Sequence, residues 1–559
     1  MSASTTLQLS LPMEQGRVGK PRLDPYSRLL SRFYEALFLL HSLDPTRALH
    51  APHPISRCPE RELRREFMRD LAFICDGQKG PLMFTAIGVA EVEEGGEVVF
   101  FVASKKSRKC KKMLERSLTM LLQYATAAKE KEPDFRQRFL EHCVGHARMR
   151  INTYISDLRV AIPACIRESK SSGRPVDEEF INWLRLLLLR DEDTTASHLK
   201  VCLEICRAST SEMMMARMQQ EEQLQHRSYA SQGLPHDQSG CFARARHAIG
   251  RLSARIRKPL SLLLNTSLMQ DILARARVEA ITSLPCVLKP EADHQTTLPR
   301  ILRRMFRPSD DEDLLRTQKI LVQMEQDSAI RPLTRYMDAN RTCSPSVHSE
   351  IEVLEYFYKH KLKFLDDDRY VYSSKPACFA CKLYFTHHPA KMVVPESHEK
   401  VYLNWGPPVT ANFRKGDPAS NRQRDLMIKI TQAVRDEALA QIWGRSQPPG
   451  WHADTTTGVA TLPPLEDGFY KGCFAHREQQ SSAFGAYDSG FESAAERELL
   501  HAMEQREEKK VELGLQGQDT GGLIGMLNEV QDDVLHEERL SQTCSGNQDT
   551  DDEEVGALL

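Results

Sequence analysis

Two short spacings in this sequence carry chemistry: His348-Ser-Glu350 and, after 27 intervening residues, Cys378-Phe-Ala-Cys381. Each stands where a helix is expected to begin. Two thiolates three residues apart on one helical turn can share a metal ion, and an imidazole from a neighbouring helix supplies a third ligand. That donor set suits zinc, and three protein ligands leave the fourth tetrahedral position to water, which zinc makes nucleophilic near neutral pH. Glu350, two residues past the imidazole, is placed to carry protons from that water to a leaving amine and not to bind metal itself.

The H-x-E plus C-x-x-C arrangement resembles the signature of the zinc-dependent cytidine and nucleic-acid deaminases. More narrowly, three runs together look like the fungal branch of the OTT-like deaminase family. They are His348-Ser-Glu350, Ser374-Lys-Pro-Ala-Cys378-Phe-Ala-Cys381 and Ser397-His398-Glu-Lys400-Val-Tyr402-Leu-Asn-Trp405. One departure is Pro376, which stands one position earlier than the usual proline before the first cysteine and bears on the loop beneath a substrate base. The resemblance covers about 60 of 559 residues. It implies a Zn2+ cofactor on His348, Cys378 and Cys381, with Glu350 as the catalytic acid–base and a nucleic-acid or nucleotide substrate. It also implies a core ordered helix, two-strand hairpin, H-x-E helix, strand, C-x-x-C helix, strand. Ser397, His398, Lys400 and Trp405 are candidate substrate contacts. Ser397 and His398 either meet the substrate or cap a loop, and Tyr402 and Trp405 form either a stacking wall or the core of a strand.

The elements that must position these groups are scattered. A helix at 59–75, with proline at its first position, precedes two β-prone runs at 83–92 and 97–103 around a Glu-Glu-Gly-Gly turn. From 105 to 327 apolar residues recur at helical spacing, including a stretch at 268–280. Helix and strand signals alternate again from 347 to 405, with strands expected at 369–373 and 401–405. These signals make the fold class α+β and predominantly helical, and the resemblance implies an α/β/α cytidine-deaminase-like core, here split by a large helical insertion. The expected organisation is a disordered 1–25, an N-terminal helix in 26–55, and a first core segment, helix and hairpin, at 56–104. A helical insert follows at 105–340 with a linker near 226–240. The core resumes with its zinc helices at 341–420, before a helix and loops at 421–491 and an acidic, largely disordered tail at 492–559.

The net charge of −2 hides an asymmetry, because residues 492–559 hold 18 acidic against 5 basic residues and leave the body net basic. Three basic clusters stand out: Lys105–Lys112; Arg244, Arg246, Arg251, Arg255, Arg257 and Lys258; and Arg300–Arg307. Each is either a solvated helix face or a phosphate-binding track, and the second is the candidate nucleic-acid contact. His198, Cys202 and Cys206 share a helix face and are assigned to the core. The tail segment Asp488–Ser493 has the form of a phosphorylation-dependent degradation signal, a pattern more often accidental. Fourteen widely spaced cysteines suggest reduced thiols. No signal peptide and no apolar run long enough for a membrane span is visible, so an intracellular protein, cytoplasmic or nuclear and not secreted, is expected. No phosphate-binding P-loop, H-E-x-x-H or G-x-S-x-G supports another enzyme class. The competing function is a catalytically inactive, deaminase-like helical scaffold or interaction protein with a structural zinc.

Overall fold

The computed structural model describes residues 24–444 apart from 44–47, 79, 81–83, 93–95, 128–131, 189–192, 232–239, 292–295, 308, 327–343, 411–412 and 415. They belong to the first of two compact units, Met1–Cys473, the second being Phe474–Leu559. The expectations for the acidic tail, its helices and Asp488–Ser493, and for residues before 24, lie outside the described residues. No helix among the described residues is long and apolar enough to cross a membrane.

A four-stranded mixed sheet carries the centre. Strands β1 (Ala86–Glu91) and β2 (Val98–Ala103) form an antiparallel hairpin with Ala86 opposite Ala103 and Glu91 opposite Val98. On one side of it lies β4 (Tyr372–Ser373), antiparallel to β1, and on the other β3 (Ala276–Ala280), parallel to β2, giving the order β3-β2-β1-β4. Both hairpin strands are apolar and buried almost throughout, the pattern of a sheet covered on two faces.

Alternation along β1 assigns the faces. A Cβ on Gly88 would lie 2.4 Å from a Phe357 ring carbon and 2.7 Å from a Val353 methyl, so only glycine lets the helix α13 (Ser349–His360) pass this close. Thr85, of opposite parity, meets the Cys110 thiol on α3 (Ser107–Thr126). Helix α2 (Pro59–Ile74) is pinned to the segment before β4 by a buried two-point pair: Arg65 Nη2 and Nε donate to the two carboxylate oxygens of Asp368 at 2.6 and 3.0 Å. Proximity in space thus joins residues about 300 apart in sequence.

The stretch between β2 and β3 is mostly helix: α3, α4 (Glu132–His146), α5 (Arg148–Ser171), α6 (Glu178–Leu186), α7 (Thr195–Ala208), α8 (Glu212–Ser231) and α9 (Cys241–Asn265). Helix α9 packs against α2, α4, α5, α7 and α8 and is accordingly buried on most of its circumference. A short α10 (Gln270–Ala274) ends this stretch. After β3 come α11 (Leu298–Met305) and α12 (Asp311–Gln326); past α13 are α14 (Phe379–His387) and α15 (Pro418–Gly444), which lies against α1 (Pro25–Leu43).

Four expectations are corrected. The stretch 268–280 is not one helix, because Ala276–Ala280 pairs with the open edge of β2, where backbone bonds outweigh helical spacing. The segment expected as a linker from 226 is helical to Ser231. Of the strand at 369–373 only two residues pair. No strand forms at 401–405: an isolated bridge joins Trp405 to Ser346, with Ser346 N–H donating to Asn404 O at 2.8 Å and Gly406 N–H to Ser346 O at 3.0 Å.

The nucleic-acid assignment of the α9 cluster also fails for most of its members. Arg251 and Arg255 are 1% and 2% exposed, facing α2, where no phosphate backbone reaches. Arg246 pairs with Glu222, Lys258 pairs with Asp70 at 2.8 Å, and Arg257 donates to Ser209 Oγ at 2.9 Å; of the six only Arg244 is exposed. In the third cluster Arg304 grips Glu35 and Arg303 pairs with Asp311.

Trp405 belongs to the core rather than to a substrate wall. It is fully buried, 5.4 Å from the Phe33 ring and 6.0 Å from Tyr384. Trp405→Ala is expected to destabilise the protein by about 3–5 kcal/mol, the range for emptying a buried aromatic site, and a urea unfolding midpoint checks it.

Candidate metal centre

His348 and Cys378 occupy equivalent stations, the residues capping the N-termini of α13 and α14, both with extended backbone. Cys381 sits one turn into α14. Two helix N-termini therefore point their partial positive charge at one spot, which favours thiolates there. His348 Nδ1 lies 3.6 Å from Cys378 Sγ and 3.3 Å from Cys381 Sγ. One ligand atom from each of the three falls within 4.8 Å of the others, the one cluster of this kind among the described residues.

Burial is nearly complete, at 2% exposure for His348 and Cys378, 0% for Cys381 and 3% for Glu350. Burial pushes the Cys378 thiol up, but its hydrogen bond with Cys381 and the adjacent His348 outweigh this and bring it well below its ordinary value. Burial and the bond to Cys378 raise Cys381. For His348 burial favours the neutral ring while Cys378 reverses the balance and raises it. Burial lifts Glu350 to about 7, with His348 opposing and Cys378 reinforcing the rise, and its carboxyl is hydrogen-bonded with Cys381. Buried side by side, His348, Glu350 and Cys381 hold on to protons, and a divalent cation among the ligands would take the place of those protons.

The residues fit a zinc ion. One imidazole and two thiols form a zinc-type donor set. His348 Nε2 and Glu350 Oε2 are buried with no hydrogen-bond partner among the described residues, so Glu350 keeps an acceptor open beside the ligands.

Surrounding segments hold the ligands by backbone bonds. Ala377 N–H donates to Glu396 O at 2.7 Å, His398 N–H to Ala377 O at 3.0 Å and Phe379 N–H to Lys400 O at 3.1 Å, so the loop 396–400 clasps Cys378 from both sides. Ser397, fully buried, exchanges backbone bonds with Ala51 at 2.8 Å, and its Oγ accepts from Glu399 N–H at 3.0 Å. Lys400 N–H donates to His398 Nδ1 at 3.1 Å, and the His398 ring lies 5.0 Å from Tyr402. Ser397, His398 and Lys400 thus stand beside the cysteines, whereas Trp405 is set back in the core. His198, Cys202 and Cys206 are buried where α7 packs on α9 and form no such cluster.

Phe84 is a site residue that motif spacing does not reveal. Its ring meets His348 edge-on at 5.3 Å, with Tyr402 at 6.2 Å, and Ser349 Oγ donates to Phe84 O at 3.3 Å. The available signal was parity, since residues 84, 86 and 88 share the face that Gly88 opens to α13.

These elements all fall in, or pack on, one segment. Residues 347–409 match the family model of the OTT_1508-like deaminases. The match begins one residue before His348 and includes Glu350, both cysteines and the 396–405 clasp. No curated protein matches the chain, and no solved structure does.

Proposed function

We propose that the protein is a zinc-dependent deaminase that hydrolyses the exocyclic amine of a nucleobase. The observation that carries this is the convergence of His348, Cys378 and Cys381 within 4.8 Å, inside the deaminase-matching segment, with Glu350 in contact and one of its oxygens unpartnered among the described residues. A bound zinc supplies Lewis acidity that makes water a nucleophile at neutral pH. Glu350 takes a proton as water adds to the amine-bearing carbon and returns it to the nitrogen as the C–N bond breaks, so water and amine become carbonyl and ammonia. Phe84 and Tyr402 fix the His348 ring, and the 396–400 loop fixes Cys378. Helix α2, the hairpin, α13, β4 and α14 follow the order of a cytidine-deaminase-like core, with 401–405 in the place of its last strand and helices α3 to α10 as the inserted part, which leads into the added edge strand β3.

The burial of all three ligands favours a second reading, a closed structural zinc in a helical scaffold. Turnover separates the two: a scaffold binds zinc and releases no ammonia from any nucleobase.

A nucleic-acid rather than free-nucleoside substrate is supported by the first basic cluster, not the second. Lys105, Lys106, Arg108, Lys109 and Lys112 are exposed, and Lys112, Arg116 and Arg138 line an open trough of about 990 Å³ between α3 and α4. Contacts to Z phosphates make log affinity fall with log salt at a slope of about −0.7Z for single strands. Replacing Lys112, Arg116 and Arg138 together by Ala is expected to flatten that slope by roughly two units while zinc content stays the same. Single-stranded RNA binding measured across salt concentrations checks this; an unchanged slope would exclude the trough as a nucleic-acid contact.

A further inference from the structure

Asp76 is buried just past the end of α2, and it is held from two directions. On one side stand arginines of the helical stretch between β2 and β3. Arg150 of α5 pairs with Asp76 Oδ2 and donates to the Asp76 backbone oxygen at 3.4 Å. Arg255 of α9 donates to the same backbone oxygen at 3.0 Å and to Phe73 O at 3.5 Å. Both guanidiniums are buried, so the carboxylate and the turn that carries it are fixed by charge-assisted bonds away from water.

On the other side Ser374 Oγ donates to Asp76 Oδ2 at 3.2 Å. A hydroxyl that gives its proton to a carboxylate turns its lone pairs to other donors, and here it accepts from Thr85 N–H at 3.0 Å. Ser374 N–H in turn donates to Thr85 O at 2.9 Å. The peptide unit between Phe84 and Thr85 is thus held at both ends, because its carbonyl, Phe84 O, accepts from Ser349 Oγ at 3.3 Å. Ser349 directly follows His348. Ser374 stands four residues before Cys378, and the far end of that short segment is fixed by the backbone bonds of Ala377 to Glu396 and His398. One buried hydroxyl therefore links the backbone beside His348 to the segment that leads to Cys378, and Asp76 sets the direction of that hydroxyl.

We propose that Asp76 is a positioning residue for the metal centre, acting through Ser374 and the Phe84–Thr85 peptide to hold His348 and Cys378 at one spacing. Helices α5 and α9 take part through the arginines that fix Asp76, so the helical stretch helps to build the centre although none of its residues is a ligand. Ligand orientation set from outside the ligand shell is what metal affinity depends on most after the ligands themselves. The role rests on the reading of His348, Cys378 and Cys381 as metal ligands, and not on deamination.

Cobalt(II) titration of the metal-free full-length protein, read by its ligand-field and thiolate charge-transfer absorption and followed by competition with zinc, tests the proposal. The parent is expected to bind one cobalt per chain. Ser374→Ala is expected to weaken zinc binding by roughly tenfold or more, the scale of losing a group that orients ligands, and to shift the ligand-field bands as the angle between imidazole and thiolate is freed. Asp76→Ala is expected to do the same, and Ser374→Thr, which keeps the hydroxyl, to retain the parent's affinity and spectrum. Ser253→Ala removes another buried hydroxyl of the helical stretch, one that donates to Ser209 Oγ at 3.0 Å, and is expected to leave affinity and spectrum unchanged whatever it does to the unfolding midpoint. If Asp76→Ala does not fold, Ser374→Ala and Ser374→Thr decide. Parent-like affinity and spectrum in Ser374→Ala would overturn the proposal and leave the metal centre standing, as would a loss that Ser253→Ala shares. A parent chain that binds neither cobalt nor zinc would overturn the metal reading and the proposal with it.

Discussion

Glu350→Ala is expected to lower deaminase turnover by roughly 10² to 10⁴, the range for removing a positioned general acid–base group, while leaving bound zinc and the unfolding midpoint close to those of the parent. The reasoning is geometric. Glu350 is 3% exposed, in contact with Cys381, and keeps Oε2 unpartnered among the described residues, so it can move a proton without holding the metal. A carboxyl raised to about 7 by burial is also near the affinity that both taking and giving a proton require. Substitution by alanine removes a buried carboxyl whose desolvation was unfavourable, so no large loss of stability accompanies the loss of rate. Glu350→Gln, of the same shape, is expected to be equally slow. Deamination assayed beside metal content and a denaturation curve checks all three statements. A variant as fast as the parent would assign the centre to structure.

The second large effect is on the metal. Cys378→Ser is expected to take zinc content from about one per chain to near zero, because it removes one of three ligands and the thiolate that two helix N-termini and His348 favour. The consequence extends beyond the site. Without a cation, His348 and Cys381 are left buried with mismatched protons, and α13 and α14 lose what joins their N-termini. A lowered unfolding midpoint is therefore expected together with zinc loss, since metal binding free energy is also folding free energy. Elemental analysis after dialysis measures the first and thermal unfolding the second. Unchanged zinc in this variant would remove Cys378 from the ligand set.

How much of this was legible in the sequence depends on the range of the forces involved. His348, Glu350, Cys378 and Cys381 were visible because the helix turn fixes ligand spacing within one element, and the hairpin because two β-prone apolar runs flank a turn. What failed depended on partners distant in sequence. Ala276–Ala280 has a helical neighbourhood and becomes a strand only because β2 offers an open edge. Arg251 and Arg255 look like a solvated cluster until α2 covers them with Phe73. Trp405 could serve a ligand or a core equally well by type, and Phe33 on α1 settles it. Charge patterns name the sign of a surface but not whether it is a surface, and here Lys105, Lys106, Arg108, Lys109 and Lys112 stand exposed where Arg251 and Arg255 do not.

Whether the His348–Cys378–Cys381 centre with Glu350 deaminates a nucleobase is decided by incubating the purified full-length protein with single-stranded RNA, single-stranded DNA and free nucleosides, and following ammonia and the bases by mass spectrometry. Ammonia and one deaminated base, formed on the single-stranded polymer, are expected with parent protein and not with Glu350→Ala. Zinc-replete protein that deaminates none of these substrates would contradict the deaminase assignment.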